Sequence, residues 1–303
     1  LTADNNFIGG GCFNTGSGDY SFIGGGCNNI NARIFGVIGG GHNNGLYGIK
    51  SFIGGGEYNR ITYCSERVSI VGGSYNTASD GSCDSFIGGG CKNIIDKGCL
   101  SSIIGGSCNY ISGSVAAGVV CNAVIVGGTL NTASAACSFI GGGELNTIEG
   151  NGGYAFLGGG CNNIVTTSTN GGHVLVGGSL NISRNTSTSV GHTTVVGGCK
   201  NITTGGFAAI VGGTLNTASA ACSFIGGGCW NIACGAGSAI AGGKLNITTA
   251  TATEASIGGG WGNCVTGIGS AIAGGNSNKT SGDYSIIGGG LDNETCLNVS
   301  FVG

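Results

Sequence analysis

Hydrophobic residues along this chain occur in short runs that return at a regular spacing, and each run leads into the same glycine and asparagine positions. The repeated unit is an aliphatic residue, a variable residue, two glycines, two variable residues and Asn. Eighteen copies occur, the first at 8–14 and the last at 287–293. The spacing between successive Asn positions is fifteen in nine of the seventeen intervals and ranges from sixteen to twenty-two in the others. Because a unit this short cannot enclose a core, each copy is predicted to form one coil stacked on its neighbours.

The residues around each copy predict two short strands per coil. A segment such as Ser-Phe-Ile-Gly-Gly-Gly at 21–26 is typical of a strand that ends in a glycine corner, where positive φ and close approach of coils are allowed. Thr or Ile follows the Asn in twelve of the eighteen copies and would begin a second strand. We therefore predict an all-β fold, a parallel β-solenoid (β-roll or β-helix) of about eighteen such coils, trimeric or filamentous in its assembly.

The repeated Asn is expected to hold the coils together. Asn tolerates the left-handed conformation and bonds to nearby backbone, and identical amides stacked on successive coils would form a ladder of hydrogen bonds. The predicted ladder consists of Asn14, Asn29, Asn44, Asn59, Asn76, Asn93, Asn109, Asn131, Asn146, Asn163, Asn181, Asn201, Asn216, Asn231, Asn246, Asn263, Asn278 and Asn293.

The repeat runs through the chain without a linker, which predicts a single continuous solenoid domain over 1–303. The chain starts and stops in mid-repeat, since 300–303 matches the coil opening at 21–24. We expect a fragment of a longer rod or a filament subunit that joins others head to tail. The segment 125–143 recurs identically at 210–228, which indicates growth by duplication of blocks of coils.

The residues on either side of the aliphatic position vary together. Where Phe precedes it, at Phe7, Phe22, Phe52, Phe86, Phe139, Phe156 and Phe224, Gly always follows it. Where the preceding residue is small, Val or Ile follows in most copies. Positions two apart share one face of a strand, so this exchange conserves volume on one face and predicts that a partner chain covers it. A solvated aromatic stripe is the alternative.

Composition narrows the possible functions. Charged residues make up 8% of the chain and the net charge is −3, so no basic footprint for nucleic acid or an anionic membrane is present. No apolar run approaches the roughly 20 residues that span a bilayer. Glycine supplies 70 residues and proline none, which excludes collagen because glycine does not occupy every third position.

The sixteen cysteines predict an oxidising, extracellular environment. Residues at one phase of consecutive coils should lie about 5 Å apart, within reach of a disulfide. On this basis we expect Cys12 to pair with Cys27, Cys91 with Cys108, Cys121 with Cys137, Cys222 with Cys234, and Cys83 with either Cys64 or Cys99. Free thiols in a reducing cell are the alternative, and no Cys-x-x-Cys motif supports zinc.

Seven Asn-x-Ser/Thr triplets are candidate glycosylation sites. Five of them coincide with the ladder, where a buried amide would not be modified. Asn185 and Asn298 lie off the ladder and are the predicted sites.

The fuller unit Asn-x-Ala-x-x-x-x-Ser-x-Ile-Gly, close to Asn76-Thr77-Ala78 leading on to Ser85-Phe86-Ile87-Gly88, resembles the head repeats of trimeric autotransporter adhesins. Similar glycine-rich coils occur in phage and viral fibre proteins. The resemblance covers nearly the whole chain and implies a trimer of left-handed parallel β-rolls on a cell or virion surface. The longer dominant period, the strict glycine pair and the cysteines depart from those adhesin heads.

No residue constellation points to catalysis, a metal or a cofactor. His42, His173 and His192 lack metal-ligand spacing and are expected at the surface or in turns. Asp80 and Asp84 lie close together in one predicted loop, but neither has a partner on a neighbouring coil, as a paired-carboxylate glycosidase would need. We predict that the protein is not an enzyme.

The leading functional hypothesis is an extracellular structural fibre or filament protein, a rigid rod stabilised by disulfides and the Asn ladder. It would self-associate, as a trimer or filament, through the Phe-bearing strand face and the chain ends. The alternative is an adhesin head or viral receptor-binding fibre that recognises glycans or cell surfaces through the longer insertions, between Asn109 and Asn131 and across 163–201. A third hypothesis, ice binding, needs a regular Thr array, which the clusters at 203–204 and 248–249 do not provide.

Overall fold

The computed structural model describes residues 4–113, 120–167, 171–185 and 191–303. These residues form parallel strands stacked coil upon coil and no helix, so the predicted parallel β-solenoid of about eighteen turns is confirmed. The chain divides into two compact units, Leu1–Asn151 and Gly152–Gly303, each with nine copies of the repeat. The single continuous domain over 1–303 stays a prediction.

Each coil of the first unit contributes one strand to each of two parallel sheets. The first sheet contains β1, Phe7–Ile8; β3, Phe22–Ile23; β5, Val37–Ile38; β7, Phe52–Ile53; β9, Ser69–Ile70; β11, Phe86–Ile87; β14, Ser102–Ile103; β17, Val124–Ile125; and β19, Phe139–Ile140. The second sheet contains β2, Thr15–Gly16; β4, Ile30–Asn31; β6, Gly45–Leu46; β8, Arg60–Ile61; β10, Thr77–Ser79; β12, Ile94–Asp96; β15, Tyr110–Ser112; β18, Thr132–Ala133; and β20, Thr147–Gly150. A small extra pair joins β13, Gly98–Cys99, to β16, Val120–Cys121.

The second unit repeats this arrangement. Its first sheet contains β21, Ala155–Leu157; β23, His173–Leu175; β25, Thr193–Val195; β27, Ala209–Ile210; β29, Phe224–Ile225; β31, Ala239–Ile240; β33, Ser256–Ile257; β35, Ala271–Ile272; β37, Ile286–Ile287; and β39, Phe301–Val302. Its second sheet contains β22, Ile164–Thr167; β24, Ile182–Arg184; β26, Ile202–Thr203; β28, Thr217–Ala218; β30, Ile232–Ala233; β32, Ile247–Thr248; β34, Cys264–Val265; β36, Lys279–Thr280; and β38, Glu294–Thr295.

The strands pair in strict register from coil to coil. Ile8 lies opposite Ile23, and Ile23 lies opposite Ile38. A third ladder, of single-residue β-bridges, runs between the two sheets and begins with Cys12 opposite Cys27. Each coil therefore has three β-segments, one more than the two that the sequence predicts.

The aliphatic residue of each repeat forms the core. Ile23, Ile38 and Ile53 have no exposed surface, and the residue before each of them faces outward. The second sheet contributes its own inward column, such as Leu46 and Ile61. Complete burial of an Ile or Leu side chain stabilises a fold by about 1.5–3 kcal/mol, and the repeat supplies one such residue in nearly every coil.

The second glycine of each pair is required by the backbone. Gly213 has φ of +86°, and a Cβ placed on it would lie 2.1 Å from the carbonyl oxygen of Gly228 on the next coil. The first glycine of that pair, Gly212, is different, because nothing lies within 4 Å of the position that its Cβ would take. Close approach of coils therefore explains only one of the two glycines.

The left-handed residue at this corner is the one before the ladder Asn, not the Asn itself. Leu130, Leu215 and Trp230 have φ between +58° and +60°, whereas no ladder Asn among the described residues has positive φ. The repeated Asn therefore does not use the left-handed conformation that this residue type tolerates. Its repetition in every coil has another cause, which lies in its hydrogen bonds.

The exchange of Phe and Gly in the first sheet has a cause within the chain. The Phe52 ring lies over Gly54, where a Cβ would come 3.2 Å from Cε1 of that ring and 2.3 Å from the carbonyl oxygen of Val71. Phe7 and Phe22 cover the glycines two residues later in the same way. The covariation therefore follows from packing within one coil, while the cover by a partner chain stays a prediction.

Candidate functional site

A ladder Asn between two neighbouring coils joins three coils, as Asn278 shows. The Asn278 amide nitrogen donates to the carbonyl of Gly274 in its own coil, at 3.1 Å, and to that of Gly290 in the next coil, at 3.0 Å. Its Oδ1 accepts the backbone N–H of Asn293, at 3.0 Å, and its own backbone N–H donates to Oδ1 of Asn263. The predicted ladder is confirmed as a column of buried amides, but most of its bonds join amide to backbone.

The ladder is closed to solvent along most of its length. Asn14 and Asn293 are partly exposed, and the other sixteen members are buried. Four glycosylation triplets have their Asn in this buried column, at Asn181, Asn201, Asn246 and Asn278. A glycan could not be accommodated there without loss of the amide hydrogen bonds.

The two predicted glycosylation sites differ in access. Asn185 is 9% exposed, and its amide nitrogen donates to the carbonyl of Gly191. The expectation that Asn185 is accessible is therefore wrong, because a strand end that lies off the ladder is still buried. Asn298 is exposed, and its Oδ1 accepts the backbone N–H of Asp283 at 2.9 Å. Asn298 stays a predicted site.

All sixteen cysteines have free thiols in the structure. The Sγ atoms of Cys12 and Cys27 are 2.8 Å apart on adjacent coils. A disulfide needs about 2.05 Å between sulfur atoms, so a small closing movement would join them. The Cys12 thiol, through the contact between the two side chains, raises the pKa of Cys27, and burial raises it further.

Three cysteines occupy one register position on consecutive coils. Cys99 lies directly opposite Cys121, and the backbone carbonyl of Cys83 accepts the N–H of Leu100 next to Cys99. Cys137 is offset by one residue, since its N–H donates to the carbonyl of Cys121. The expected partners therefore lie on adjacent coils, and the structure adds the Cys99–Cys121 pair, which the sequence did not single out.

Of the remaining predicted pairs, one is offset and one is wrong. Cys108 is bonded through its backbone N–H to the carbonyl of Cys91 and lies one residue out of register with it. Cys234 lies beside Ser219, whose hydroxyl contacts its Sγ at 3.2 Å. Cys222 is three residues further along that coil, so Cys222 and Cys234 are not cross-coil neighbours.

One histidine lies in the core rather than at the surface or in a turn. His173 is fully buried in β23, where its Nδ1 is 2.6 Å from Oγ1 of Thr193. Burial lowers its pKa to about 4, and the nearby His192 contributes to the decrease. The expectation for His173 is therefore wrong, and a neutral imidazole occupies a column in which Ala155 and Thr193 lie on the two adjacent coils.

The acidic pair of the predicted loop is not arranged for acid–base chemistry. Asp84 accepts a hydrogen bond from Nη2 of Arg67 at 2.8 Å, and this contact lowers the pKa of the Asp84 carboxyl. Asp80 contacts Thr62 through its backbone N–H. Within the described ranges, no group of three His, Cys, Asp or Glu side chains is placed to hold a metal ion.

The outward face of the first sheet is uncharged and mostly apolar in both units, with Ser69, Ser102, Thr194 and Ser256 as its polar members. Phe22 and Phe52 in the first unit and Phe156 and Phe224 in the second are each 39–40% exposed. No charged residue occupies the outward column that these side chains share or the position after the buried aliphatic residue. We call this surface the apolar face.

Aromatic residues are concentrated in the first unit around one groove. The rings of Tyr58 and Tyr75 are stacked, with centroids 4.7 Å apart and planes at 6°. They form one wall of a groove of about 380 Å³, and Tyr47 and Arg60 form the other. Gly45 lies between the walls. It occupies the same position in the second sheet as Ile30 in the preceding coil. The repeat pattern did not indicate this site, although five of the eight Tyr residues lie within 20–75.

The predicted ligand-binding insertions lie in part outside the described residues, since 114–119, 168–170 and 186–190 are not described. No helix in the described part of the chain has the length and apolar character to cross a membrane. No protein-family model matches the chain, and no curated protein is significantly similar to it.

Proposed function

We propose that this chain is a structural protein of an extracellular, cell-surface or virion-surface fibre, and that copies associate laterally through the apolar face. The observation that carries the proposal is the absence of charge from this face in every coil, while charged residues occupy the other outward columns. A monomeric soluble protein rarely exposes a long continuous apolar surface, and such surfaces are typical of interfaces.

The apolar face contains a recess that side chains of a second copy can fill. Between Phe224 and Ile286 the outward column consists of Ala239, Ser256 and Ala271, which leaves an apolar recess of about 390 Å³. Half-exposed Phe side chains of the same face are projections of suitable chemistry for such a recess. Lateral packing would bury the Phe side chains and the recess. It would remove the cost of their exposure to water, about 25 cal/mol for each Å² of apolar area.

The first glycine of some pairs supports close approach by a neighbour. Glycine occupies this position in all eighteen coils. The backbone itself favours glycine where φ is +149° to +159°, as at Gly10, Gly89, Gly142, Gly159, Gly259 and Gly289. Gly212 lies outside that region and has open space where a Cβ would lie. The chain itself gives no steric reason for that choice at Gly212. A neighbouring chain that packs against this corner would supply one.

Imaging of purified protein tests the proposal. The parent is expected to form elongated or laterally associated assemblies, visible by negative-stain electron microscopy and by light scattering. Ala239→Arg places a charge in the recess and is expected to leave monomers. The matched control is Thr217→Arg, because Arg60 already occupies the same column of the second sheet. A parent that stays monomeric at every concentration, or an Ala239→Arg variant that assembles like Thr217→Arg, would contradict the proposal.

A ligand-binding head is the second candidate function. The specific observation in its favour is the groove beside Gly45, because stacked exposed tyrosines and a guanidinium are not needed to stack coils. The coils of the second unit form the same ladders without such a cluster among their described residues.

A further inference from the structure

We propose that the groove between Tyr58–Tyr75 and Tyr47–Arg60 binds an acidic saccharide. This inference deepens the second candidate function and depends only on the fold of the Leu1–Asn151 unit. Its failure would leave the fibre proposal unchanged, because none of these side chains lies on the apolar face.

The shape of the groove comes from a single glycine. Along the outward column of the second sheet, Ile30 and Arg60 flank Gly45, so a gap one coil wide opens between them. The ring of Tyr47 lies against this gap, and a Cβ on Gly45 would come 2.9 Å from its Cε2. The volume of about 380 Å³ falls within the usual range for small-ligand sites.

One wall is rigid and carries polar groups at its rim. Tyr58 and Tyr75 are 41% and 47% exposed, and their stacking fixes both rings. Tyrosine offers a large contact surface and a phenolic hydroxyl at little cost in side-chain entropy. Asn28 and Asn43 continue the same wall on the two preceding coils, and the Asn28 amide donates to Oδ1 of Asn43. Phenol and amide groups in a row suit a ligand that is rich in hydroxyls.

The other wall supplies the charge. Arg60 lies over the Tyr47 ring, with its Cζ 5.6 Å from the ring centroid, and Arg33 covers Tyr63 nearby at 4.8 Å. The groove lining contains no carboxylate, and no ion pair of Arg60 is present among the described residues. The guanidinium therefore has N–H donors to offer, and its fork geometry matches a carboxylate.

Together these groups fit a chain of sugars with an acidic substituent. Hydroxyls would bond to the amides and phenols, apolar sugar faces would contact Tyr47, and a uronic carboxylate would pair with Arg60. The column of one residue per coil favours a linear ligand that follows the stacking direction, since equivalent groups recur about every 4.8 Å.

Titration calorimetry with oligogalacturonate as the probe tests this site. The parent protein is expected to bind it, and a neutral galactan oligosaccharide of equal length is expected to bind at least about tenfold more weakly, a difference of ~1.4 kcal/mol. Arg60→Ala should weaken binding of the acidic probe by a similar factor. Tyr75→Asn, which introduces the residue found at this turn in Asn28 and Asn43, should also weaken it.

Control variants distinguish binding in this groove from nonspecific attraction of the acidic probe to positive charge. Lys279→Ala removes a cation from the same column in the second unit, and Tyr284→Asn changes an exposed tyrosine with φ of +55° elsewhere; both should bind like the parent. Gly45→Ile should fill the groove and abolish binding, with its fold checked by circular dichroism. The proposal fails if oligogalacturonate does not bind, if Lys279→Ala and Arg60→Ala have equal effects, or if sodium acetate competes with the same affinity as the oligosaccharide.

Discussion

At the scale of single residues, each corner of the repeat combines a strained residue with one that holds it in place. The residue before the ladder Asn adopts a left-handed conformation even where it is Leu215 or Trp230. A bulky side chain in this region costs on the order of 1–2 kcal/mol. The Asn that follows offsets the cost by making hydrogen bonds to its own coil and to both neighbouring coils. The corner is therefore specified by the Asn, and the residue before it is free to vary.

Replacement of a ladder Asn is expected to be costly. Asn278→Ala would leave the carbonyl of Gly274 and the N–H of Asn293 without a partner, and it would remove one of two hydrogen bonds to the carbonyl of Gly290, which keeps the N–H of Asn276. Because a buried unsatisfied polar group costs about 1–3 kcal/mol, the free energy of unfolding should fall by about 3 kcal/mol or more. Asn276→Ala is the matched control two residues away, exposed and expected to change stability by less than about 0.5 kcal/mol. Urea denaturation measures both, and equal effects would contradict the role given to the ladder.

The two glycines of one pair are expected to respond differently to alanine. At Gly213 the new Cβ would meet the carbonyl of Gly228 at 2.1 Å in a backbone with φ of +86°, so the loss of stability should be about 3 kcal/mol or more. At Gly212 the Cβ has open space, and the change should be less than about 1 kcal/mol. Thermal unfolding of the two variants compares them directly. A large loss from Gly212→Ala would show that this glycine is required within the monomer and not by a neighbour.

At the scale of strands and coils, the sequence predicts the features that depend on the spacing of the repeat. The buried column that contains Ile23 and the ladder that contains Asn278 follow from the spacing, because contacts in a solenoid are between nearest coils. The pairing of Cys222 with Cys234 was wrong because these cysteines are closer in sequence than Asn216 and Asn231, which mark the length of one coil there. Burial of His173 could have been predicted from the period, since it lies two residues before the buried Leu175 and therefore on the same inward face of the strand.

Adjacent coils also bring thiols together, and oxidation should join one pair in particular. With oxidised glutathione as the oxidant, Cys12 and Cys27 would form one disulfide and release two molecules of reduced glutathione. Their Sγ atoms, 2.8 Å apart, need little movement to bond. Because the pKa of Cys27 is raised, fewer thiolates exist at neutral pH and the reaction should accelerate as the pH rises. Peptide mapping without reduction should recover a Cys12–Cys27 link and no Cys222–Cys234 link; the reverse result would refute the register described here.

At the scale of the whole molecule, the repeat makes stability a sum of equivalent neighbouring contacts. At the groove beside Gly45 and the recess at Ala239, single residues differ from the repeat pattern. The period of the sequence says least about the structure at such positions. Periodicity determines which side chains are buried, whereas a ligand or partner is recognised by the residues that break it. This is why the fold was predictable from the sequence and the groove was not.

The same argument predicts that a whole coil is dispensable while a single residue of it is not. Deletion of 217–231 removes one complete coil and brings Asn246 one coil from Asn216, so every ladder can close again in register. Deletion of 217–230 removes one residue fewer and leaves an extra residue in that coil, which forces a bulge or turns the outward residues of a strand inward. The full-coil deletion should unfold within a few degrees of the parent in a thermal melt followed by circular dichroism. The shorter deletion should unfold at a clearly lower temperature, and equal melting temperatures would mean that register does not control stability in the Gly152–Gly303 unit.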